Sequence, residues 1–302
     1  MKYLNKRTLK IGVSKLVNFI SPLRYPGGKN KVYEYISHLV KINNVSSYIE
    51  PFAGGAAVAL RLLNNNEVNR IIINDYDRSI HAFWYSTIFY TEKLIERIWE
   101  TNISIDEWYK QKKIQKNKYT VNLFDLGFST LFLNRTNRSG IIKAGVIGGK
   151  EQSGEYKMDC RFNKEVIIQR IKLISSLRER IEIHNLDAID FIKKRIKTTR
   201  RSLTFFDPPY YNKGEALYTN FYNYNEHVEL SKAISQIMRN RYWILTYDIS
   251  KEIKDMYSKY NYIPILYNLN YSISTPKIGY EFMFFSRNIN RGNIKKYLQV
   301  TK

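Results

Sequence analysis

The stretch from Ser46 to Asp75 limits the fold of this chain more than any other. Ser46 to Ile49 is a short run of strand character, and Glu50-Pro51-Phe52-Ala53-Gly54-Gly55 reads as the turn that ends it. Ala56 to Leu63 then carries small and aliphatic residues suited to a helix, and Arg70-Ile-Ile-Ile-Asn74 reads as the next strand. Strand, glycine turn, helix and strand form the first unit of a nucleotide-binding α/β fold, in which glycines let a ligand approach the backbone closely. Asp75 ends the second strand, 75 − 55 = 20 residues beyond Gly55, where an acid can accept hydrogen bonds from ribose hydroxyls. The glycines do not follow Gly-x-Gly-x-x-Gly, so a nucleoside cofactor other than NAD is expected.

A second constraint lies downstream. Leu203-Thr-Phe-Phe206 reads as a buried strand, and Asp207-Pro208-Pro209-Tyr210 follows it. Neither proline can donate to a ladder, so the strand must stop there. An acid, a stiff turn and an aromatic ring at that edge of an open α/β sheet stand where ligands bind. A carboxylate and a turn carbonyl can accept both hydrogens of an exocyclic amine while a tyrosine stacks on the base. The plainer reading is a strand, a proline turn and an exposed acid. Tyr210, Tyr211, Tyr218, Phe221, Tyr222 and Tyr224 crowd the loop that follows, either to close over a base or to pack together.

Charge decides between classes of partner. The 302 residues carry 49 Lys and Arg against 27 Asp and Glu, a net +22, which points to a polyanion, usually nucleic acid. Part of that excess suits an AT-rich coding bias, since Lys, Asn, Ile and Tyr are all abundant. The lone cysteine, Cys160, excludes an intramolecular disulfide and a cysteine zinc cluster, and the four histidines lack ligand spacing, so no metal is expected. No stretch approaches the ~20 apolar residues of a membrane span. The basic N-terminus lacks a signal-peptide pattern, and a cytoplasmic protein is expected.

The remaining segments fit around these two sites. Residues 1–20 form a basic arm or a frayed terminus. Two prolines and two glycines in Ser21 to Lys29 make an ordered turn before a helix whose apolar face holds Val32, Ile36, Leu39 and Val40. Gly27-Gly28-Lys29 suits an anionic ligand at a helix start, but not as a P-loop, because no Ser or Thr follows the lysine. Residues 77–120 read as helices with Trp84, Trp99 and Trp108 as core anchors, and Lys110 to Lys118 is a basic cluster. Asn134 to Gly149 and on to Phe162 is rich in Gly, Asn and Arg, two-stranded or looped. Arg pairs with guanine edges and Asn with adenine edges, so a ribbon there would read bases. Asn163 to Arg178 reads as a helix, Arg180 to His184 as a strand, and Asp187 as an N-cap at the ligand edge. Glu226 to Arg239 reads as a helix, Tyr242 to Thr246 as a strand, and Tyr262–Leu269 with Tyr280–Phe285 as an antiparallel hairpin at the sheet edge.

Pro22-Leu-Arg-Tyr-Pro-Gly-Gly-Lys29, Glu50-Pro-Phe-Ala-Gly-Gly55 and Asp207-Pro-Pro-Tyr210, in that order, resemble the DNA adenine methyltransferases of the Dam type. Asn134-Arg135, Arg161-Phe-Asn163, His227 and Glu281 to Phe285 are weaker echoes, and the resemblance spans roughly residues 21 to 288. It implies an α/β fold with a seven-stranded Rossmann-like methyltransferase sheet and an inserted helical plus hairpin target recognition domain. The catalytic domain would comprise residues 21–80 and 163–290, the insertion residues 81–162, and residues 291–302 a basic tail. S-adenosylmethionine would be the cofactor and duplex DNA the substrate, with N6 of a flipped adenine as methyl acceptor. A monomer with a cognate restriction endonuclease belongs to the same expectation. The resemblance assigns Tyr25, Lys29, Glu50, Phe52, Gly54, Gly55, Asp75 and Asp187 to the cofactor, with Tyr25 and Lys29 also beside the target base. Asp207, Pro208, Pro209 and Tyr210 would hold that base. Within the insertion, Arg135, Asn137, Arg138, Lys143, Lys150 and Arg161 would contact DNA. Ala56 stands where the family often has a third glycine. Cytosine N4, RNA adenine and a non-catalytic DNA-binding relic are the competing readings.

Overall fold

The computed structural model describes residues 20–24, 29–212, 222–271 and 277–301. Tyr25, Tyr218, Phe221 and almost all of the N-terminal arm lie outside those residues. Parallel strands β1 (Ser47–Glu50), β2 (Arg70–Asn74), β3 (Ile181–His184), β4 (Ser202–Phe206) and β5 (Tyr242–Asp248) form most of the sheet. β7 (Lys277–Phe285) runs antiparallel to β5, and β6 (Ile265–Tyr271) antiparallel to β7. The resemblance implies seven strands, and the described residues form eight. Val300–Thr301 adds a short β8 beside β6, so the β6–β7 pair lies inside the sheet edge rather than at it. The order is β3-β2-β1-β4-β5-β7-β6-β8.

The central strands are apolar on both faces, as a sheet covered on both sides requires. Tyr48, Ile71 and Ile73 point into one core, and Ile49 and Ile72 into the other. α1 (Tyr33–Ile42), α2 (Ala57–Asn64) and α3 (Arg78–Phe89) build the first face. The second face holds α8 (Ala188–Phe191) with its π-helical extension Ile192–Ile196, then α9 (Tyr224–Ile237) and α10 (Lys251–Ser258). The capping box at Asn223 and Glu226 starts α9 two residues earlier than its sequence pattern suggests.

Residues 91–176 supply α4 (Thr91–Glu100), α5 (Ile105–Lys116), α6 (Leu123–Thr136) and α7 (Lys164–Ser176). Their apolar residues, Phe128, Phe132 and Phe162 among them, join the same core as the first sheet face. The expected hairpin does not form among the described residues. Gly148 and Gly149, with φ of +82° and +77°, and Gln152, with φ +49°, keep reversing the chain, and one bridge, Asn137 to Val146, is the whole ladder. Trp84 and Trp108 are buried as expected, but Trp99 is 60% exposed on the outer face of α4.

At Gly127 α6 approaches α3 so closely that a Cβ there would overlap the Ser86 hydroxyl and the Ala82 carbonyl. Gly127→Ala is therefore expected to lower stability by roughly 1–3 kcal/mol despite its better helix propensity. Urea unfolding measures this, and an unchanged or raised midpoint would contradict the packing.

Candidate active site

The strand order reverses between β1 and β4, so their carboxyl ends open a crevice. Glu50 closes β1 and Asp207 follows β4, on the two sides of it. Register then selects their neighbours. β4 and β5 pair Phe206 with Leu245, which sets Thr246 beside Asp207. The Thr246 hydroxyl donates to Asp207 Oδ1 at 2.7 Å, and Lys29 Nζ reaches the same oxygen at 3.0 Å. Asp207 Oδ2 accepts no hydrogen bond among the described residues, and the side chain keeps 22% of its surface. One face of the carboxylate is anchored and the other is open.

Lys29 is the centre of a buried network. Its side chain is 5% exposed, and its ammonium also lies 3.2 and 3.1 Å from the two oxygens of Glu281 and donates to the Tyr210 hydroxyl at 3.1 Å. The Tyr210 hydroxyl donates to Glu281 Oε1 at 2.5 Å and that of Tyr267 to Oε2 at 2.6 Å. The β6–β7 register pairs Tyr267 directly with Glu281. Burial raises the Asp207 carboxyl above its ordinary range; Lys29 opposes the rise and Glu281 adds to it. Beyond Tyr210, the Asp248 carboxylate accepts from the backbone N–H of Tyr211 at 2.8 Å and of Asn212 at 2.9 Å, fixing the turn.

The glycine turn lies on the β1 side of the crevice. Gly54 has φ +46°, and its N–H donates to Asp75 Oδ2 at 2.8 Å. Asp77 N–H donates to Asp75 Oδ1 at 2.9 Å. Trp84 Nε1 donates to the Gly54 carbonyl at 3.0 Å, and buried Asn74 ties Pro51 to Leu186 through three hydrogen bonds. Ala56 adopts φ +46°, ψ 34° at the cap of α2, the left-handed conformation a glycine would take without strain. The alanine keeps the turn at a steric cost of about 1–2 kcal/mol. Phe52 meets Tyr222 edge-on, with ring centroids 5.9 Å apart. Asp187 is exposed and caps α8, accepting from Ile189 and Asp190 N–H, as its capping reading expects.

Glu50 and Asp75 have no ion-pair partner within 4 Å among the described residues. Burial raises Glu50 to about 8, although Ala59 N–H donates to it. Burial and the nearby Asp77 raise Asp75 to about 7. Two desolvated acids on a glycine turn suit a ligand with a positive centre and hydroxyl groups, so the donor set fits S-adenosylmethionine.

In the stretch expected to be an insertion, Arg138, Lys143, Lys150 and Arg161 are exposed. The structure corrects the direct base contact expected of Arg135 and Asn137. Asn137 is fully buried, accepting from Trp108 Nε1 at 2.7 Å and donating to the carbonyls of Ile141 and Ile142. Buried Arg135 donates to the Pro22 carbonyl. Asn134 exchanges two 2.7 Å hydrogen bonds with the Arg24 backbone. Arg135 and Asn134 thus brace the Pro22–Arg24 segment, whereas Asn137 ties α5 to the turn after α6. Thr246 and Tyr267 were missed because their roles come from strand register, which local patterns do not carry. Glu281 carried only a weak sequence echo.

A family model described as D12 class N6 adenine-specific DNA methyltransferase matches residues 25–269. The chain is 27% identical over 230 residues to the type II methyltransferase M.MjaIII of Methanocaldococcus jannaschii, covering 70% of this chain and 77% of that one. Among solved structures, the rRNA methyltransferase aviRa from Streptomyces viridochromogenes aligns over 97% of this chain and 89% of its own, at 10% identity and a TM-score of 0.34.

A pH dependence follows from the raised acids. An acid whose pKa is higher folded than unfolded is favoured in the fold when neutral, so stability falls as pH climbs from about 4 through its folded value. For Glu50 that fall extends to about 8. Glu50→Gln should raise the Tm of the unliganded protein at pH 8.5, change it little at pH 5, and weaken cofactor binding. A thermal melt series with equal shifts at both pH values would contradict the assignment.

Proposed function

Because the chain belongs to the D12 class of N6 adenine-specific DNA methyltransferases, we propose that it transfers a methyl group from S-adenosylmethionine to N6 of an adenine rotated out of duplex DNA into the Asp207 crevice. The observation that carries this reading is the half-anchored carboxylate. Thr246 and Lys29 hold Asp207 Oδ1, which leaves Oδ2 at the sheet edge to accept one hydrogen of the amine. The Pro208 carbonyl accepts the other.

Adenine N6 is a poor nucleophile because its lone pair is delocalised into the ring. Two acceptors on its hydrogens localise that pair on nitrogen. When bound, S-adenosylmethionine supplies an electrophilic methyl carbon on a sulfonium; Gly54, Gly55, Glu50 and Asp75 would hold it, with Phe52 and Asp187 at its margin. Asp207, raised by burial, is suited to take the proton that N6 must lose. Alignment of donor and acceptor can contribute roughly 7–11 kcal/mol. Extrusion of the base costs a few kcal/mol. Stacking on Tyr210, at about 1–3 kcal/mol, offsets much of it. The exposed Arg138, Lys143, Lys150 and Arg161 would hold DNA beside the crevice. A cognate restriction endonuclease fits the type II description of the relative.

The direct test is transfer of tritiated methyl from S-adenosylmethionine to unmethylated duplex DNA, followed by nucleoside analysis. Label in N6-methyladenine is expected; label in N4-methylcytosine, or none, would refute the reading. Asp207→Asn should lower kcat by about 10²–10⁴ with cofactor affinity unchanged. Asp75→Ala should instead weaken cofactor binding in calorimetry, and equal effects of the two variants on both quantities would overturn the division of roles.

A further inference from the structure

The strand edge opposite the crevice carries the reverse charge. Arg70 opens β2, Arg180 precedes β3, Arg201 precedes β4 and Arg241 precedes β5. A cleft of about 530 Å³ opens there, lined in part by Ser47, Arg70, Glu179, Arg180, Arg200 and Arg201. Lys193-Lys-Arg-Ile-Lys-Thr-Thr-Arg-Arg201 runs up to it, with six cations in nine residues.

Some of these cations are structural. Arg180 spends its guanidinium on Asn66 Oδ1 and the carbonyls of Val68 and Asn69, and Arg241 donates to the carbonyls of Thr199 and Lys197. Lys194 pairs with Asp190, and Arg195 with Glu182. Arg70 turns Nε to the Ser47 hydroxyl. The side chains of Lys193, Lys197, Arg200 and Arg201 are exposed and make no hydrogen bond or ion pair among the described residues. Glu179, the acid of the cleft, is 3.2 Å from Arg178. Arg201 sits at φ +49°, with its carbonyl accepting from Ser46 and Ser47 N–H, so a strained turn holds its side chain at the mouth. Strain of this kind costs about 1–3 kcal/mol and persists where the surroundings enforce it.

We propose that this cleft is a second nucleic-acid surface, in which Arg200 and Arg201, with Lys197 beside them, grip backbone phosphates of a duplex segment other than the one being methylated. Guanidinium groups without carboxylate partners are matched to phosphate oxygens, and a cleft open to solvent admits a backbone. Nothing in it is shaped to read bases, so the contact is sequence-independent. The enzyme would hold one duplex at the crevice while a second lies on the opposite edge. The proposal rests on the reading that the crevice acts on duplex DNA.

The test uses the full chain and a short duplex of one helical turn that carries no methylation target. Wild type should bind two such duplexes, the weaker event falling steeply with salt. In Arg200→Gln/Arg201→Asn the weaker event should vanish and the salt slope of total binding should drop by about 2, at about 0.9 per phosphate contact. Asparagine tolerates the left-handed turn at position 201. Methyl transfer to a specific duplex should be unchanged. Phenylglyoxal footprinting of the unsubstituted protein, which does not depend on how the variant folds, should show Arg200 and Arg201 protected by duplex. One-to-one binding, an unchanged slope or unprotected arginines would overturn the second surface whatever the methyl transfer result. Absence of methyl transfer by wild type would instead refute the crevice reading.

Discussion

The buried ammonium of Lys29 is the interaction on which the site depends. An isolated charge is costly to bury, and it persists only where opposite charge and hydrogen bonds surround it. Here Asp207 and Glu281 supply the charge and the Tyr210 hydroxyl a further contact, all within 3.2 Å. The three elements that carry them, the segment before α1, the end of β4 and strand β7, are far apart in sequence. The ion cluster therefore fixes their mutual position as well as the orientation of the carboxylate.

Strand register does the rest. A slip of one residue between β4 and β5 would turn Thr246 away from Asp207, because alternate side chains face opposite sides. A slip between β6 and β7 would take the Tyr267 hydroxyl from Glu281 and leave a buried carboxylate one donor short. Apolar alternation protects both registers: Ile244 and Phe285 belong to one core, Leu245 and Phe284 to the other. Hydrophobic burial, which knows nothing of chemistry, thus places the polar groups.

This explains what the sequence made legible. The glycine turn at Gly54 and Gly55, the acid at Asp75 and the proline stop at Asp207 are local signals, and each needs only neighbouring residues to be understood. Arg135 and Asn137 misled for a related reason. Their residue types suit base edges, but type does not report exposure, and the chain buries both: Arg135 donates to the Pro22 carbonyl, and Asn137 ties Trp108 to the carbonyls of Ile141 and Ile142. The hairpin expected between Asn134 and Phe162 does not form because glycines at positive φ reverse the chain too often for strands to extend. Two-residue β8 has too little sequence to carry any alternation.

The charge layout joins these features. The carboxyl ends of the strands, or the turns just after them, present Glu50, Asp75, Asp207 and Asp248, with Glu281 facing them from β7, although the chain carries a net +22. Burial keeps Glu50 and Asp75 partly protonated near neutral pH and Lys29 offsets Asp207 and Glu281, so a cation that restores the charge on Glu50 and Asp75 is favoured there over a phosphate. In the proposed reaction a sulfonium ligand would be drawn to the sheet edge itself, while the DNA backbone would be gripped away from it, on the flanking loops. Such a separation of signs would let one chain hold a cation and a polyanion without either displacing the other. On the proposed reading, only the uncharged base, swung out of the helix while its phosphates stay outside the crevice, would enter between the acids.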